Sequence, residues 1–207
     1  MTVSPARARQ RRRPEEAERE ILDAAEALLR EGAVRTPAVA EVMARTGLGR
    51  SSFYVYFRDV PDLLYRLSER VEGELFAVAR AWLAGDGDPV ADARRSLAGV
   101  VAVYLRHGPL LCAIKAAAGG DPQVERRLRA GPVEHFVGAV AGRIEDEAAR
   151  GRIPRPVPRD VARALVLMNE AYLLDTLGRV PPEDPGQVVA ALHFVWTRAL
   201  YGHDPGG

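Results

Sequence analysis

A glycine-centred turn between two short helical segments constrains the fold of this chain more than any other feature. Residues 36–57 read TPAVAEVMARTGLGRSSFYVYF, in which Gly47 ends one segment and Leu48 and Gly49 link it to the next. Glycine here lets the chain reverse tightly, so that two helices can meet at a steep angle. This pattern is typical of a helix-turn-helix, whose second helix enters the major groove of DNA.

Helical spacing of apolar residues continues on both sides of the turn, and no segment alternates as a strand does. The helix before the motif begins at Pro14 and ends at Gly32. Thr36 is predicted to cap the next helix with its side chain. Further helices are predicted at about 50–54, 59–83, 89–106, 109–118, 122–150 (with a break near 131–132), 160–177 and 186–201. The chain is therefore predicted to be all-α, with about nine helices.

The motif divides the chain into three predicted parts. Residues 1–13 carry five arginines and no acid, and are predicted to be a disordered basic arm. Residues 14–59 are predicted to form a helix-turn-helix DNA-binding domain, and residues 60–207 a ligand-binding and dimerisation domain. An arginine run is ordinarily a solvated tail, but directly before a helix-turn-helix it can reach phosphates or the minor groove.

Composition and charge limit the location and the partners of the chain. A net charge of +1 requires any nucleic-acid contact to be local, and 47% apolar residues can build a core. Cys112 is the only cysteine, which fits a reducing cytoplasm. No apolar run approaches the roughly 18 residues of a membrane span, so no membrane partner is expected. Since no catalytic or metal-binding motif appears, no enzyme activity, metal or cofactor is expected.

The short segment after the turn carries the candidate DNA contacts. Its N-terminal part supplies small polar and basic side chains that suit base edges, and its tyrosine hydroxyls can reach phosphates. Phe53 and Phe57 are predicted to anchor the segment in the core. The alternatives are a solvated arginine, serines that only cap the helix and tyrosines that only pack. The candidates are Thr36, Arg50, Ser51, Ser52, Tyr54, Tyr56 and Arg58.

The segment resembles the signature of the TetR family of transcriptional regulators, in which a glycine turn precedes a short recognition helix that ends in an aromatic-x-Tyr-Phe run. The sequences ALVLMNE at 164–170 and HFVWTRALYG at 193–202 are similar to the last two helices of the EthR-type branch of that family. The resemblance implies a repressor that a small lipophilic ligand releases from a palindromic operator in double-stranded DNA. It also implies a homodimer formed through the last two helices.

Three positions depart from the family pattern. Gly49 stands where serine or threonine is usual, and Val60 stands where a lysine usually meets a phosphate. Arg58 is the candidate to replace that lysine. Val166 stands where EthR-type proteins have a second asparagine, three residues before the one that matches Asn169. The polar end of the implied pocket is therefore altered, and the ligand of EthR-type proteins is not carried over to this chain.

The implied pocket draws its candidates from the C-terminal part of the chain, and these are Trp82, Tyr104, Phe136, Met168, Asn169, Tyr172 and Trp196. Apolar residues at helical spacing are usually core, and a buried asparagine can simply bond to a neighbouring helix. Core packing is therefore the alternative for each candidate.

The last two predicted helices are apolar over most of their girth, which predicts burial on more than one side and fits pairing across a two-fold axis. Two rival functions remain at this point. One is a small-molecule carrier or helical enzyme with a vestigial helix-turn-helix, and Gly49 and Val60 favour it slightly. The other is a DNA-binding protein whose packed core takes no ligand.

Overall fold

Eight helices with defined bounds account for most of the residues that the computed structural model describes, namely 13–31, 36–85, 87–119, 125–126, 131, 133–153 and 159–202. They are α1 (Pro14–Arg30), α2 (Val39–Ala44), α3 (Arg50–Tyr56), α4 (Val60–Leu83), α5 (Pro89–Ala118), α6 (Glu134–Ala149), α7 (Arg159–Leu177) and α8 (Pro185–Tyr201). These ranges contain no strand, and the predicted all-α fold is confirmed. Gly32 and nearly all of the predicted basic arm lie outside the described residues.

Two buried phenylalanines hold α3 in place. The side chains of Phe53 and Phe57 are 0% and 1% exposed, and their ring centroids lie 5.4 Å apart. They pack in one cluster with Ile21 of α1, Val42 of α2 and Leu63 of α4. The prediction that these two residues anchor the segment is therefore confirmed. Helix α3 runs two residues further than predicted, to Tyr56.

The second helix begins later than the sequence indicated. Helix α2 starts at Val39 and its N-cap residue is Ala38, so the prediction that Thr36 caps it is wrong. The Glu41 carboxylate instead accepts a hydrogen bond of 2.8 Å from the backbone nitrogen of Ala38. A carboxylate in the first turn also interacts favourably with the helix dipole, and can therefore stabilise this helix start without a polar cap.

Helix α5 is continuous where two helices were predicted, at 89–106 and 109–118. Pro109 lies inside it and removes one helical hydrogen bond, at a cost of about 3 kcal/mol. On the two sides of the proline, Val103, Leu110 and Ile114 are buried in the same cluster as Phe53. Burying each such side chain contributes roughly 1.5–3 kcal/mol, which together exceeds the cost of the proline.

Gly108, the residue before this proline, lets α5 approach the end of α7 closely. A Cβ atom added there would lie 2.7 Å from the carbonyl oxygen of Leu177. The later predicted helix, 122–150, is described as α6 over Glu134–Ala149 only. Most of its predicted first part, 122–130, lies outside the described residues.

Two apolar clusters form the interior, and α4 belongs to both. The first, which we call the N-terminal core, surrounds Phe53 and takes Leu67 and Val71 from the first half of α4. The second, the body core, includes Trp82 from the end of α4 together with residues of α5 to α8. Leu75 and Val78, between these halves, pack against both cores. The domain boundary at 59/60 stays a prediction, and the start of α4 packs with the N-terminal side.

By length and composition, one helix among the described residues could cross a membrane, namely Pro89–Ala116 within α5. The apolar run of this helix is interrupted by Arg106 and His107, so the sequence alone did not indicate a span. This helix packs against α1, α4, α7 and α8. Such contacts on several sides are those of a central helix in a helical bundle.

Truncation of Phe53 tests the anchoring of α3. We expect Phe53→Ala to lower the free energy of unfolding by about 3–5 kcal/mol, because it leaves a cavity in the N-terminal core. The matched control is Val55→Ala on the same helix, where the side chain is 75% exposed. That change should stay within about 0.5 kcal/mol in urea unfolding. Equal losses in the two variants would contradict the packing described here.

Candidate DNA-binding surface and ligand cavity

Helix α3 presents one side to solvent. Arg50, Ser51 and Tyr54 are exposed, while Ser52 and Tyr56 are half-buried. The N-cap residue is Gly49, and no side chain caps the start of the helix by a hydrogen bond. The structure thus places these five candidates on one short helix, whose buried side is anchored by Phe53.

Thr36 and Arg58 flank the motif, and both are exposed. The guanidinium of Arg58 lies 3.2 Å from Oδ1 of Asp62, and its backbone nitrogen donates to Oδ2 at 3.1 Å. The hydrogen bond to Asp62 and its charge raise the pKa of Arg58. Its side chain remains 72% exposed, so the cation is oriented and stays accessible. DNA contact by the seven candidates stays a prediction.

Val55 is a surface feature that the sequence analysis missed. It lies on α3 between two tyrosines and is 75% exposed. Helical spacing alone assigns an apolar residue to a core, so no signal in the sequence marked it. An exposed apolar side chain on such a helix suits contact with the methyl group of thymine.

Ion pairs and hydrogen bonds fix the turn to α1. The guanidinium of Arg45 bonds to both carboxylate oxygens of Glu31, at 2.6 and 2.5 Å. The backbone nitrogen of Gly47 donates to Oε1 of Glu20 at 2.6 Å. The turn and α1 therefore hold α3 in a defined position.

A cavity of about 740 Å³ lies among the helices of the body. This volume is within the range of small-molecule sites, which is roughly 300–1,000 Å³. Five of the seven sequence candidates line it, namely Trp82, Tyr104, Phe136, Asn169 and Trp196. Met168 and Tyr172 do not line it, and instead pack half-buried against the body core. Ligand contact by any of the seven stays a prediction.

The two tryptophans of the cavity wall are each held by a hydrogen bond. Nε1 of Trp196 donates to Oδ1 of Asn169 at 2.9 Å, and Nε1 of Trp82 donates to the hydroxyl of Tyr201 at 3.1 Å. Their rings meet edge to face, with centroids 5.4 Å apart. Asn169 therefore bonds to a neighbouring helix, which was the alternative to ligand contact, and it also lines the cavity.

Four charged residues among the lining side chains were missed by the sequence analysis, namely Glu72, Lys115, Glu125 and Glu170. Nζ of Lys115 lies 3.5 Å from Oε1 of Glu170. Burial raises the pKa of the Tyr104 hydroxyl, and the nearby Glu170 charge raises it further. Charged residues on amphipathic helices are expected at the surface, so spacing alone did not identify these four.

Polar contacts join α1 to helices α4 and α5. The Arg30 guanidinium donates to the carbonyl oxygen of Arg106 at 3.0 Å and lies 3.2 Å from Nδ1 of His107. Glu74 of α4 meets both partners, at 2.8 Å from Arg106 and 3.3 Å from Nε2 of His107. The hydrogen bond from Arg106 lowers the pKa of Glu74. Asp23 of α1 also pairs with an arginine of α4.

Metal binding finds no support in the part of the chain that the structure describes. No group of three or more histidine, cysteine, aspartate or glutamate side chains there could hold a metal ion. The cavity and the α3 surface are therefore the two candidate sites.

Comparisons with known proteins agree on one family. The model of the family described as "Transcriptional regulator EthR, C-terminal domain" matches residues 93–202, slightly more than half of the chain. The HTH-type transcriptional regulator EthR of Mycobacterium tuberculosis is 28% identical over 216 residues, which cover 99% of this chain and 100% of that protein. EthR of Mycolicibacterium smegmatis is also 28% identical, over 97% of this chain and 94% of its own length. Regulatory protein TetR from Rhodobacter sphaeroides shares the fold, with a TM-score of 0.67 and 22% identity over 89% of this chain and 98% of that chain.

Two buried tyrosines of the body core give a matched test of its polar contacts. Tyr201→Phe leaves the indole N–H of Trp82 without its partner, and should lower the free energy of unfolding by about 1–3 kcal/mol. Tyr104→Phe should leave it unchanged or slightly higher, because none of the described residues bonds to that hydroxyl. Urea unfolding of both variants measures the difference. A larger loss in Tyr104→Phe would show that its hydroxyl has a partner.

Proposed function

Because this chain belongs to the EthR-related group of the TetR family of transcriptional regulators, we propose that it is a repressor which a small lipophilic ligand releases from a palindromic operator. The observation that carries this proposal is the path of α4. That helix shares the N-terminal core with α3 at one end and contributes Trp82 to the cavity wall at the other. A ligand in the cavity therefore touches the helix on which the DNA-binding surface rests.

In this proposal the dimer presents two α3 helices to successive major grooves, roughly 34–36 Å apart. Arg50, Ser51 and Ser52 are the candidates for base edges. Tyrosine hydroxyls of α3, together with Thr36 and Arg58, contact phosphates and set the register. The exposure of Arg50 and the oriented guanidinium of Arg58 support these roles.

The proposed dimer forms through α7 and α8. Both helices bury one side in the body core and still expose large apolar side chains on another. Phe194, Val195 and Leu167 are 49%, 38% and 36% exposed. Apolar side chains on two adjacent helices suit pairing with the same helices of a second copy across a two-fold axis.

The proposed release is a shift between two states of the dimer. The ligand tilts α4 and spreads the two α3 helices, and it must bind that spread form more tightly to shift the equilibrium. The contacts of Arg30 and Glu74 with α5 couple α1 and α4 to this movement. Members of this family are soluble regulators and generally not enzymes. We accordingly place the protein in the cytoplasm and assign it no catalytic role.

Titration of DNA tests this function. The full chain is titrated by fluorescence anisotropy against the DNA upstream of its own gene, with scrambled DNA as control and at two salt concentrations. Specific binding that weakens with salt is expected, because phosphate contacts release counterions. Binding without preference over scrambled DNA at both salt concentrations counts against this sequence as the operator and favours a carrier.

Arg50 is the position that should separate DNA recognition from stability. Arg50→Ala should weaken operator binding by about ten-fold or more, since an arginine pair with a base contributes roughly 1–3 kcal/mol. Its melting temperature should not change, because the side chain is exposed. Arg94→Ala, at an exposed arginine of α5, is the matched control and should bind DNA like the wild type. A lower melting temperature with unchanged DNA affinity would contradict the assigned role.

Phe194 is the position that should separate the dimer from the fold. Phe194→Glu places a charge in the proposed two-fold contact, and should give monomers at micromolar concentration in analytical ultracentrifugation. Val55→Glu adds the same charge at an exposed apolar site on α3 and should remain dimeric. A wild-type monomer, or a dimer that Phe194→Glu leaves intact, would contradict pairing through these helices.

A further inference from the structure

Glu72 is an unusual residue for an apolar cavity. It lies midway along α4, lines the cavity, and its side chain is 13% exposed. Its atom Oε1 is enclosed and accepts no hydrogen bond from a described residue. Nδ1 of His135 lies 3.3 Å from this oxygen, and the His135 side chain is 80% exposed to solvent. A carboxylate enclosed in this way is costly unless a donor or a cation meets it.

Apart from the exposed imidazole of His135, no described residue pairs with the Glu72 carboxylate. Its neighbours on α4 that line the cavity are Ser68, Val71 and Leu75, and the hydroxyl of Ser68 donates to the backbone of its own helix. Glu69, on the same helix, carries a like charge. Burial accordingly raises the pKa of the Glu72 carboxyl, and Glu69 adds to that rise while His135 opposes it.

The ion pair in the rest of the lining does not favour an anion over a cation. Lys115 and Glu170 both line the cavity, and Nζ of Lys115 lies 3.5 Å from Oε1 of Glu170. An acidic ligand would therefore be repelled by Glu72, while a basic ligand would meet the same carboxylate in apolar surroundings, where charge-assisted hydrogen bonds are strong.

We propose that the ligand of this cavity is a lipophilic amine, whose protonated nitrogen is bound by the Glu72 carboxylate while its apolar body fills the remaining space. This inference rests on the proposed ligand response and names the chemical class of the ligand. No covalent step is involved.

The position of Glu72 also assigns it a part in the response. Val71, the residue before it, is buried in the N-terminal core, and Leu75, one turn later, packs against both cores. Arg70 and Glu74 on the same stretch of α4 form the ion pairs toward α1 and α5. An amine bound at Glu72 therefore acts where α4 passes from one core to the other.

Three compounds with one tail and different head groups test the inference. Decylamine, decanol and decanoic acid share a ten-carbon chain, and the amine is protonated at pH 7 as a lysine side chain is. Binding to the full chain is followed below micelle-forming concentrations by the emission of its two tryptophans, Trp82 and Trp196, which both line the cavity. The wild type should bind decylamine about 10- to 100-fold more tightly than decanol, and decanoic acid least tightly.

Variants of α4 carry the decisive comparison. Glu72→Gln keeps the shape of the side chain and should abolish the preference for the amine, with decanol affinity unchanged within about two-fold. Glu72→Asp keeps the charge and should retain part of the preference. Glu69→Gln is the matched control, because Glu69 pairs with Arg66 and does not line the cavity. It should bind all three compounds like the wild type.

The outcomes separate this inference from the proposed function. Equal decylamine affinity in the wild type and Glu72→Gln, or a preference for decanoic acid, would contradict the inference of an amine. The proposal of a lipophilic ligand would then remain. If none of the three compounds binds to a protein that still selects its operator, the ligand response and the amine both fail, and DNA binding remains.

Discussion

The sharing of α4 between two apolar cores is the constraint on which the rest of this structure depends. Leu67 and Val71 fix the first half of the helix in the N-terminal core, which also holds Phe53 of α3, and Trp82 fixes its end in the wall of the cavity. A close-packed interior transmits displacement because it has little free volume to absorb it. Helix α4 thus connects the candidate DNA-binding surface to the cavity.

Polar contacts fix the position of α4 relative to its neighbouring helices. Arg30 and Glu74 join α1, α4 and α5, and Arg45 joins the turn before α3 to α1. These pairs are largely exposed, and each contributes little to stability. Their value is geometric, because they keep α1 and the turn in register with α4. The chain is accordingly a ligand-responsive, DNA-binding regulator whose two functions share a short and continuous path.

The sequence predicted the packing of α3 better than the lining of the cavity, for physical reasons. A glycine turn and two aromatic anchors are local features, so Phe53 and Phe57 could be assigned before any tertiary contact was known. Residues such as Met168 and Tyr172 lie on helices that are apolar over most of their girth, and spacing cannot rank their sides. Glu72 was not predicted to line the cavity, because a lone carboxylate on a long helix is ordinarily solvated. The continuity of α5 through Pro109 depends on packing against residues that are distant in sequence, and local helix propensity does not predict such contacts.

The most direct test of the central claim, that α4 holds an exposed recognition helix for a symmetric dimer, is selection of binding sites from random-sequence duplex DNA by the purified full chain. The account predicts enrichment of an inverted repeat whose half-site centres lie about one helical turn, or a multiple of it, apart. The Arg50→Ala variant should enrich that repeat weakly or lose one base preference within each half-site. Failure of the wild-type protein to enrich any sequence, at low as well as at physiological salt, would contradict it.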